Sequence, residues 1–382
     1  MKIKGCFQKR GVGVGLLVLG LVFLGTGLYL SNQRLPTVSP RVDALGEDDL
    51  AHVAESKHLR TALGATIWPG FDTAPIPILL YNEENVYLTG VSNPERGWAR
   101  VPSNGKYGTQ WKRGAGYDWQ PLPENGETPQ AFIVQLESAD GILYAASMTT
   151  YAWTKIELVN MIRVQLPEPA RAIFPFQLFI NQFDRAWYQS ALLHESFHVL
   201  QMQEVPARLF AAQDSYIIEQ SYAWEEQRDA WAEERRVLAE ALKTNDPAQM
   251  RKLAQEFIRL RHARRASIPD TWVHFEQSVE WLEGLAKYVE LASYRAAAQD
   301  SMYAPVPAMA DLADFNHYAG FERRWRQERN QLRTTGSYDA VLFYYTGWAQ
   351  AEMLDVLRPG WKEEVFGEGV YLDDLIARAI SE

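Results

Sequence analysis

The feature that most constrains the fold of this chain is a pair of histidines placed one helical turn apart. The pentapeptide His194-Glu195-Ser196-Phe197-His198 lies in an apolar stretch that is typical of a buried helix. Residues four apart project from the same side of a helix, so both imidazoles point towards one place. Buried histidines beside a buried carboxylate need a partner, and a metal ion supplies one. The sequence therefore predicts a metal site within a helical region.

Zinc is the ion that this spacing favours. Two imidazoles so placed reach one Zn²⁺ at about 2.0–2.1 Å, and a catalytic zinc site adds a third protein ligand and keeps one position for water. The ion lowers the pKa of that water, and Glu195 is placed beside the first histidine to take its proton. We expect His194 and His198 to be ligands and Glu195 to be the general base of a hydrolase.

The third ligand is expected on a later helix. Glu276, Glu280, Glu283 and Glu290 share one face of a helical wheel, so helical phase does not choose among them. Gly284 favours Glu283, because a glycine within a helix costs about 1 kcal/mol against alanine and indicates close approach to another backbone. We interpret that backbone as the helix that carries the two histidines.

Other positions compete with Glu283 for this role. Glu219 follows His198 by 21 residues and lies in a segment with a helical pattern, and Glu280 is the next choice on the shared face. His274 and His317 are candidates for outer hydrogen-bond donors to the site. These alternatives stay open at the level of the residues alone.

Two short segments resemble those of a known family. Residues 281–290 (WLEGLAKYVE) resemble the W-L-x-E-G-x-A-x-Y-x-E stretch of gluzincin metallopeptidases related to the aminopeptidase N superfamily, which implies that Glu283 is the third zinc ligand. Residues 344–347 (YYTG) resemble the family's Y-x-x-G element. That resemblance implies that the hydroxyl of Tyr344, or alternatively of Tyr345, stabilises the oxyanion of the tetrahedral intermediate.

The chain also departs from that family in two ways. Glu283 lies 85 residues beyond His198, whereas the family's interval is about twenty residues. No G-x-M-E-N stretch, which binds the substrate amino group in aminopeptidases, is present. The resemblance covers about residues 184–360. It therefore implies a zinc metallopeptidase acting on a peptide or protein substrate, without specifying an aminopeptidase.

The amino-terminal region predicts a membrane anchor. Residues 11–30 carry no charge, and as a helix they reach roughly 30 Å, the thickness of a hydrocarbon core. Residues 1–10 form a basic flank, which keeps that end cytoplasmic and places the remainder outside. The run is longer than the apolar part of a usual signal peptide, and no A-x-A site follows it. We expect an uncleaved single-pass anchor, typical of a bacterial inner-membrane protein that faces the periplasm.

Beyond the anchor the pattern predicts an α+β fold. A stalk over residues 31–45 precedes a β-rich region over 46–180 and a mainly helical, zincin-like catalytic region over 181–382. Residues 76–90 are typical of a strand hairpin. Helices are predicted over residues 184–203, 207–242, 247–265, 270–298, 337–357 and 372–380.

Composition excludes some classes of function. The net charge of −10 argues against nucleic acid as a partner, because phosphate contacts need clustered Lys and Arg. Cys6 is the single cysteine, so no intramolecular disulfide forms. The competing interpretation is a non-catalytic, metalloprotease-like zinc protein that acts as a membrane-tethered scaffold, with residues 207–265 as a partner-binding platform. An intact Glu195 favours the enzyme, since a structural zinc site needs no general base.

Overall fold

A single sheet and a larger set of helices make up the part of the chain that the computed structural model describes, namely residues 20, 22–101, 108–114, 132–138, 141–334 and 339–382. The mixed α+β class is confirmed. The strands are β1 (Ile78–Tyr81), β2 (Asn85–Thr89), β3 (Ala99–Arg100), β4 (Gln110–Gly114), β5 (Phe132–Ser138) and β6 (Gly141–Thr149).

The described strands form one sheet in the order β3-β4-β2-β1-β6-β5. β1 pairs antiparallel with β2, which confirms the predicted hairpin, and parallel with β6. β5 pairs antiparallel with β6 and lies at one edge of this sheet. Because successive side chains alternate between faces, Ile78 and Leu80 pack on one side of β1, and Leu79 and Tyr81 pack on the other.

Helices surround this sheet on the side of Ile78 and extend well beyond it. The first group comprises α1 (Glu47–Ile67), α2 (Tyr151–Gln165), α3 (Glu168–Ile173), α4 (Phe176–Ile180), α5 (Arg185–Glu204), α6 (Pro206–Asp214), α7 (Trp224–Ala241) and α8 (Pro247–Arg265). The second group comprises α9 (Asp270–Val279), α10 (Leu285–Gln299), α11 (Pro307–Ala310), α12 (Phe321–Thr334), α13 (Val341–Leu357), α14 (Trp361–Glu364) and α15 (Leu372–Ser381).

Helix α5 lies between the sheet and the largest apolar core. Tyr188 and Leu192 pack on the sheet, whereas Leu193, Phe197 and Leu200 enter a core that α1, α10 and α13 also build. Helices α9 and α10 are joined by a π-helical turn (Glu280–Gly284) and together form one continuous rod beside α5. The pentapeptide with the two histidines is therefore buried between a sheet and a helical layer.

Several predicted boundaries are confirmed, and others are wrong. The predicted start at residue 184 is confirmed, since Asp184 caps α5, and α8 spans the predicted residues 247–265 with Asp246 as its cap. The single helix predicted over residues 207–242 is wrong, because α6 ends at Asp214 and a 3-10 turn (Ser215–Ser221) separates it from α7. Asp and Ser favour such breaks, since their side chains compete for backbone hydrogen bonds.

The predicted β-rich region, residues 46–180, contains all described strands but also four helices. Helix α1 begins with three acidic residues, Glu47, Asp48 and Asp49, which favour a helix amino terminus. Strand β6 ends at Thr149, because Thr150 caps α2 by accepting a hydrogen bond from Trp153 N at 3.3 Å. The prediction therefore missed helices that cover one side of the sheet.

The amino-terminal prediction is only partly covered by the described residues. The basic flank 1–10 and positions 11–19 and 21 of the predicted anchor lie outside them, and residues 22–32 form a helical segment. Within the described part of the chain, no helix is both long and apolar enough to cross a bilayer. In the predicted stalk, Leu35 is buried and the Ser39 hydroxyl donates to Glu83 Oε2 at 2.6 Å, so this segment packs on the folded region.

Candidate metal centre

Helix α5 and the π turn bring three potential ligands into the interior. Asp184 fixes the start of α5 by accepting a hydrogen bond from Trp187 N at 2.9 Å. His194 and His198 follow on one face of this helix and are 7% and 1% exposed. Glu283 comes from the π turn and is 6% exposed. Because α10 packs along α5, the three side chains meet despite their separation in sequence.

The three ligand atoms form a nearly equilateral triangle. His194 Nε2 lies 3.2 Å from His198 Nε2, and Glu283 Oε2 lies 3.3 Å from each of these nitrogens. Ligands at 2.0–2.1 Å from a tetrahedral ion are about 3.3–3.4 Å apart, so these atoms fit three corners of such a site. Among the described residues, this is the one group of His, Cys, Asp or Glu side chains whose ligand atoms converge in this way.

Gln201 fixes the tautomer of His198. The amide nitrogen of Gln201 donates to the carbonyl oxygens of Trp281 and Leu282, at 3.1 and 3.2 Å, in the π turn. The amide oxygen is therefore left to accept from His198 Nδ1, which lies 2.8 Å away. With its hydrogen on Nδ1, the neutral ring keeps a lone pair on Nε2, the atom that faces the other ligands.

A carboxylate on α10 has the corresponding position at His194. His194 Nδ1 lies 3.4 Å from Glu290 Oε2, and Glu290 accepts hydrogen bonds from Lys287 at 2.9 Å and Arg324 at 2.8 Å. Burial would lower the pKa of His194, but Glu283 and Glu290 outweigh burial and raise this pKa to about 10. The carboxylates around His194 therefore favour a positive charge at this position, which either a proton or a metal ion provides.

The charges around the cluster are unevenly paired. Lys287 and Arg324 each form ion pairs with both Glu290 and Glu328, so these four groups balance one another. Glu195 and Glu283 have no lysine or arginine partner among the described ion pairs. One divalent cation balances two such charges.

Glu195 lies beside the cluster with an uncommitted oxygen. The residue is 9% exposed, and its Oε2 has no hydrogen-bond partner among the described residues. Burial raises the pKa of Glu195 to about 7, against the lowering effect of His194 and His198. A carboxyl group that titrates near neutrality beside a metal site is suited to accept and return a proton.

Tyr344 closes one side of the site. Its ring lies nearly parallel to that of His194, with centroids 6.0 Å apart and an interplanar angle of 10°. Burial, and then the nearby Glu283 carboxylate, hold the pKa of Tyr344 well above its usual value, so the phenol stays protonated and donates hydrogen bonds. Tyr216 in the 3-10 turn shares this environment, since burial and Glu283 raise its pKa as well.

Tyr345, the alternative to Tyr344, lies in different surroundings. Lys287 Nζ is 5.9 Å from its ring centroid, and burial together with Glu328 raises the pKa of Tyr345. These neighbours belong to the balanced charge group on the far side of Glu290. The structure therefore places Tyr344, and not Tyr345, against the candidate ligand His194.

The rival carboxylates are engaged elsewhere. Glu219 Oε1 accepts from Ala340 N at 2.8 Å, at the start of α13. Glu280 forms a buried ion pair with Arg261 at 2.6 Å, and Glu276 forms hydrogen bonds with arginines on α8. None of these three carboxylates belongs to the converging group. Glu283 is the member of the predicted set that reaches both histidines.

The reason given for Gly284 is wrong, although it selected the same residue. A Cβ atom on Gly284 would lie 2.5 Å from Gly347 Cα, so the close approach is to α13 and not to α5. A Cβ atom on Gly347 would in turn lie 2.5 Å from the Glu280 carbonyl oxygen. This glycine pair lets the helix that carries Tyr344 pack directly on the π turn that carries Glu283.

The two predicted outer donors are not near the ligands, and two residues near the ligands were not predicted. His274 and His317 are exposed and lie outside the cluster; His274 Nδ1 is 3.1 Å from the Tyr371 hydroxyl. Gln201 could have been found from its position three residues after His198 on the same helix. Tyr216 gives no signal in the sequence, because only the tertiary fold brings the 3-10 turn to the site.

Comparison of the chain with protein-family models, with curated proteins and with solved structures gives no match. No relative therefore assigns a family or an activity to this chain. What the site does has to follow from its own chemistry and from the resemblance of its short segments.

Proposed function

We propose that this chain is a metal-dependent hydrolase, with Zn²⁺ as the metal and peptide bonds as the substrate. The observation that carries the proposal is the triangle of His194 Nε2, His198 Nε2 and Glu283 Oε2 beside the uncommitted Glu195 carboxylate. Two imidazoles and one carboxylate are the ligand set of a catalytic rather than a purely structural zinc site, because a fourth position stays open.

Each residue has a distinct task in this mechanism. His194, His198 and Glu283 would hold the ion, which when bound acidifies water and polarises a carbonyl group. Glu195 takes a proton from the attacking water and returns it to the leaving amine. Tyr344 donates a hydrogen bond from its protonated hydroxyl to the oxygen on which negative charge develops.

The sheet edge next to the site supports an extended peptide as the substrate. Phe132, the first residue of β5, packs on His198 with ring centroids 4.6 Å apart. The far end of β5 is engaged, since Glu95 N donates to Glu137 O at 3.1 Å. Among the described strands, β5 pairs with β6 alone, and an open sheet edge of this kind pairs with an extended peptide by strand addition. Together with the short segments that resemble gluzincins, this arrangement favours peptides over other carbonyl substrates.

The test compares Glu195→Gln with the wild type in the full-length chain. Hydrolysis of a quenched fluorogenic peptide library should fall by about 10²–10⁴-fold, the usual contribution of a general base, while bound zinc per chain stays the same. Glu204→Gln is the matched control, because Glu204 is exposed at the end of the same helix, and it should retain full activity.

Two results would count against the proposal. Unchanged hydrolysis in Glu195→Gln would remove the mechanism. Zinc binding without any hydrolysis in the wild type would favour a non-catalytic, membrane-tethered scaffold instead.

We also propose that the uncharged run of residues 11–30 anchors the chain in a membrane as a single-pass helix, with the catalytic region outside the cytoplasm. The length of the run and the basic flank before it support this topology. Treating membranes that contain the full-length protein with an external protease tests it. Digestion of the catalytic region in sealed, right-side-out membranes is expected, and full protection would contradict it.

A further inference from the structure

An apolar surface lies on the layer formed by α2, α3 and α4. Large aliphatic side chains on this layer are exposed by more than half, where polar residues are usual: Met161 by 53%, Val164 by 78%, Ile173 by 51% and Leu178 by 68%. We call these four residues the apolar platform. Single exposed apolar residues are ordinary, but several on one small layer mark an interaction surface.

The layer beneath the platform is partly independent of the main core. Leu35, Val159, Phe176 and Ile180 form a small apolar cluster of their own that holds α2 against α4. The four platform side chains therefore do not form the core of this layer, because other residues already form it. The exposed platform side chains can therefore contact another apolar surface.

The amino-terminal helical segment is fastened to this same layer. The Asn32 side-chain amide donates to the carbonyl oxygens of Ala172 at 3.1 Å and Phe174 at 2.9 Å. Further back along the segment, a Cβ atom on Gly25 would lie 3.9 Å from Ile173 Cγ2. Residues 22–32 therefore pack on the carboxyl end of α3, with no spacer between the apolar run and the platform.

These contacts set the depth of Ile173, one residue of the platform, relative to the proposed anchor. Gly25 precedes Leu30, the last residue of the uncharged run, by five positions, or about 8 Å along a helix. The side chain of Ile173 reaches the level of Gly25, whereas the carbonyl groups on either side of Ile173 are bonded to Asn32. Apolar faces of membrane-surface helices are buried about 5–10 Å into the boundary between headgroups and acyl chains. If the run spans the bilayer, Ile173 lies within that boundary.

We propose that the apolar platform inserts into the outer boundary of the bilayer and holds the catalytic region against the membrane surface. This inference rests on the proposed anchor and is independent of the proposed hydrolysis. The occupant of the surface is lipid, because the segment that docks beside the platform is itself the continuation of the uncharged run.

The test uses the full-length chain in phosphatidylcholine vesicles that carry brominated acyl chains. Cys6, the single cysteine, is replaced by serine, and an environment-sensitive fluorophore is attached at one introduced cysteine at a time. Leu178→Cys reports on the platform and Leu17→Cys on the anchor. Ile217→Cys is the matched control, because it is an aliphatic residue with 80% exposure on the 3-10 turn, which packs on α6 and α9.

The proposal expects bromolipid quenching at positions 178 and 17 and none at position 217. Quenching at 17 without quenching at 178 would overturn the platform and leave the anchor intact. A blue-shifted but unquenched label at 178 would also overturn it, because a protein surface such as a second copy would then cover the platform. No quenching at 17 would remove the anchor and the platform together.

Discussion

Two buried polar regions lie next to each other along the same helical rod, and they differ in how fully their charges are paired. In one region, Glu276 and Glu280 meet the guanidinium groups of Arg261 and Arg264 from α8. In the other region, Glu283 pairs with two imidazoles and, among the described ion pairs, with no lysine or arginine. The three carboxylates are three or four positions apart in sequence and are all nearly inaccessible to solvent.

The arginine side is saturated. Arg261 donates to Glu234, to both oxygens of Glu280 and to Gln350, and it is 0% exposed. On the histidine side, Glu195 Oε2 has no hydrogen-bond partner among the described residues, and Glu283 has no described ion pair with lysine or arginine. A fully paired buried network stabilises a fold by itself, whereas an underpaired one is stable only if something else binds. The difference supports the proposed site on the histidine side, with the arginine side as its structural support.

The largest expected effect comes from breaking the saturated side. Arg261→Met leaves the buried carboxylates of Glu234 and Glu280 without their shared partner, so the free energy of unfolding should fall by about 3–5 kcal/mol. Urea unfolding of the full-length chain measures it. Arg259→Met is the control, since the pair of Arg259 with Glu256 on the same helix is exposed and should contribute less than about 1 kcal/mol.

If Arg261→Met and Arg259→Met had equal stability, the arginine network would not support the π turn. The helices over residues 207–265 would then be a separable layer. That result would revive the interpretation of these helices as a platform for a partner.

A smaller effect, on the affinity for Zn²⁺, is expected from a substitution on the histidine side that leaves the proposed ligands unchanged. Gln201→Leu removes the acceptor that keeps the hydrogen of His198 on Nδ1, so affinity for Zn²⁺ should fall by about 10–100-fold, as for other outer partners of metal-bound histidines. Competition with a chelator measures this affinity. Gln203→Leu is the control, because Gln203 is exposed and donates only to Pro75 O. Equal affinities in the two variants would show that Gln201 does not orient the site.

The contact between Gly284 and Gly347, where α13 packs on the π turn, can be tested by adding a methyl group. Gly347→Ala places a Cβ atom 2.5 Å from the Glu280 carbonyl oxygen and 2.7 Å from Gly284 Cα. The free energy of unfolding should fall by about 1–3 kcal/mol, because the helices must move apart. Activity should fall as well, since α13 carries Tyr344. Thermal unfolding together with peptide hydrolysis gives the answer, and a variant unchanged in both would contradict the close packing.

The smallest effect concerns a buried histidine without a carboxylate partner. Burial lowers the pKa of His52 to about 3, opposite in direction to the shift of His194. The unfolded chain takes up a proton near its ordinary pKa of about 6.5, whereas folded His52 stays neutral. Stability is therefore lost as pH falls from about 6.5 towards 3. Between pH 7 and pH 5.5 the loss from this residue is about 1 kcal/mol.

His52→Gln should remove that part of the acid sensitivity. The difference in unfolding free energy between the two pH values should shrink by the same amount, as urea unfolding at each pH would show. An unchanged difference would mean that His52 is protonated in the fold.

The parts of the site that lie within one helix could be predicted from the sequence. The spacing of His194 and His198, and the cap at Asp184, follow from the geometry of one helix, and the structure has both in the expected helix. Glu283 was selected from four acids on one face, and the structure brings it to the histidines. Its role as a ligand stays a prediction.

What sequence could not supply depends on contacts between distant elements. Leu59 and Leu63 in α1 have the spacing of a helix. This helix was nevertheless included in the predicted β-rich region, because strand patterns follow it in the sequence. The pairing of Glu280 with Arg261 depends on where α8 crosses the rod. The close approach at Gly284 was predicted correctly, but its partner is on α13, because a glycine signals proximity without naming the neighbour.

The most direct test of the central claim is equilibrium binding of Zn²⁺ to the metal-free, full-length chain, compared between Glu283→Gln and Glu219→Gln. The account predicts one ion per chain, with affinity strongly reduced by the change at Glu283 and unaffected by the change at Glu219, which accepts only a backbone hydrogen bond at α13. A wild-type chain that binds no zinc, or binding that is equally strong in both variants, would contradict it.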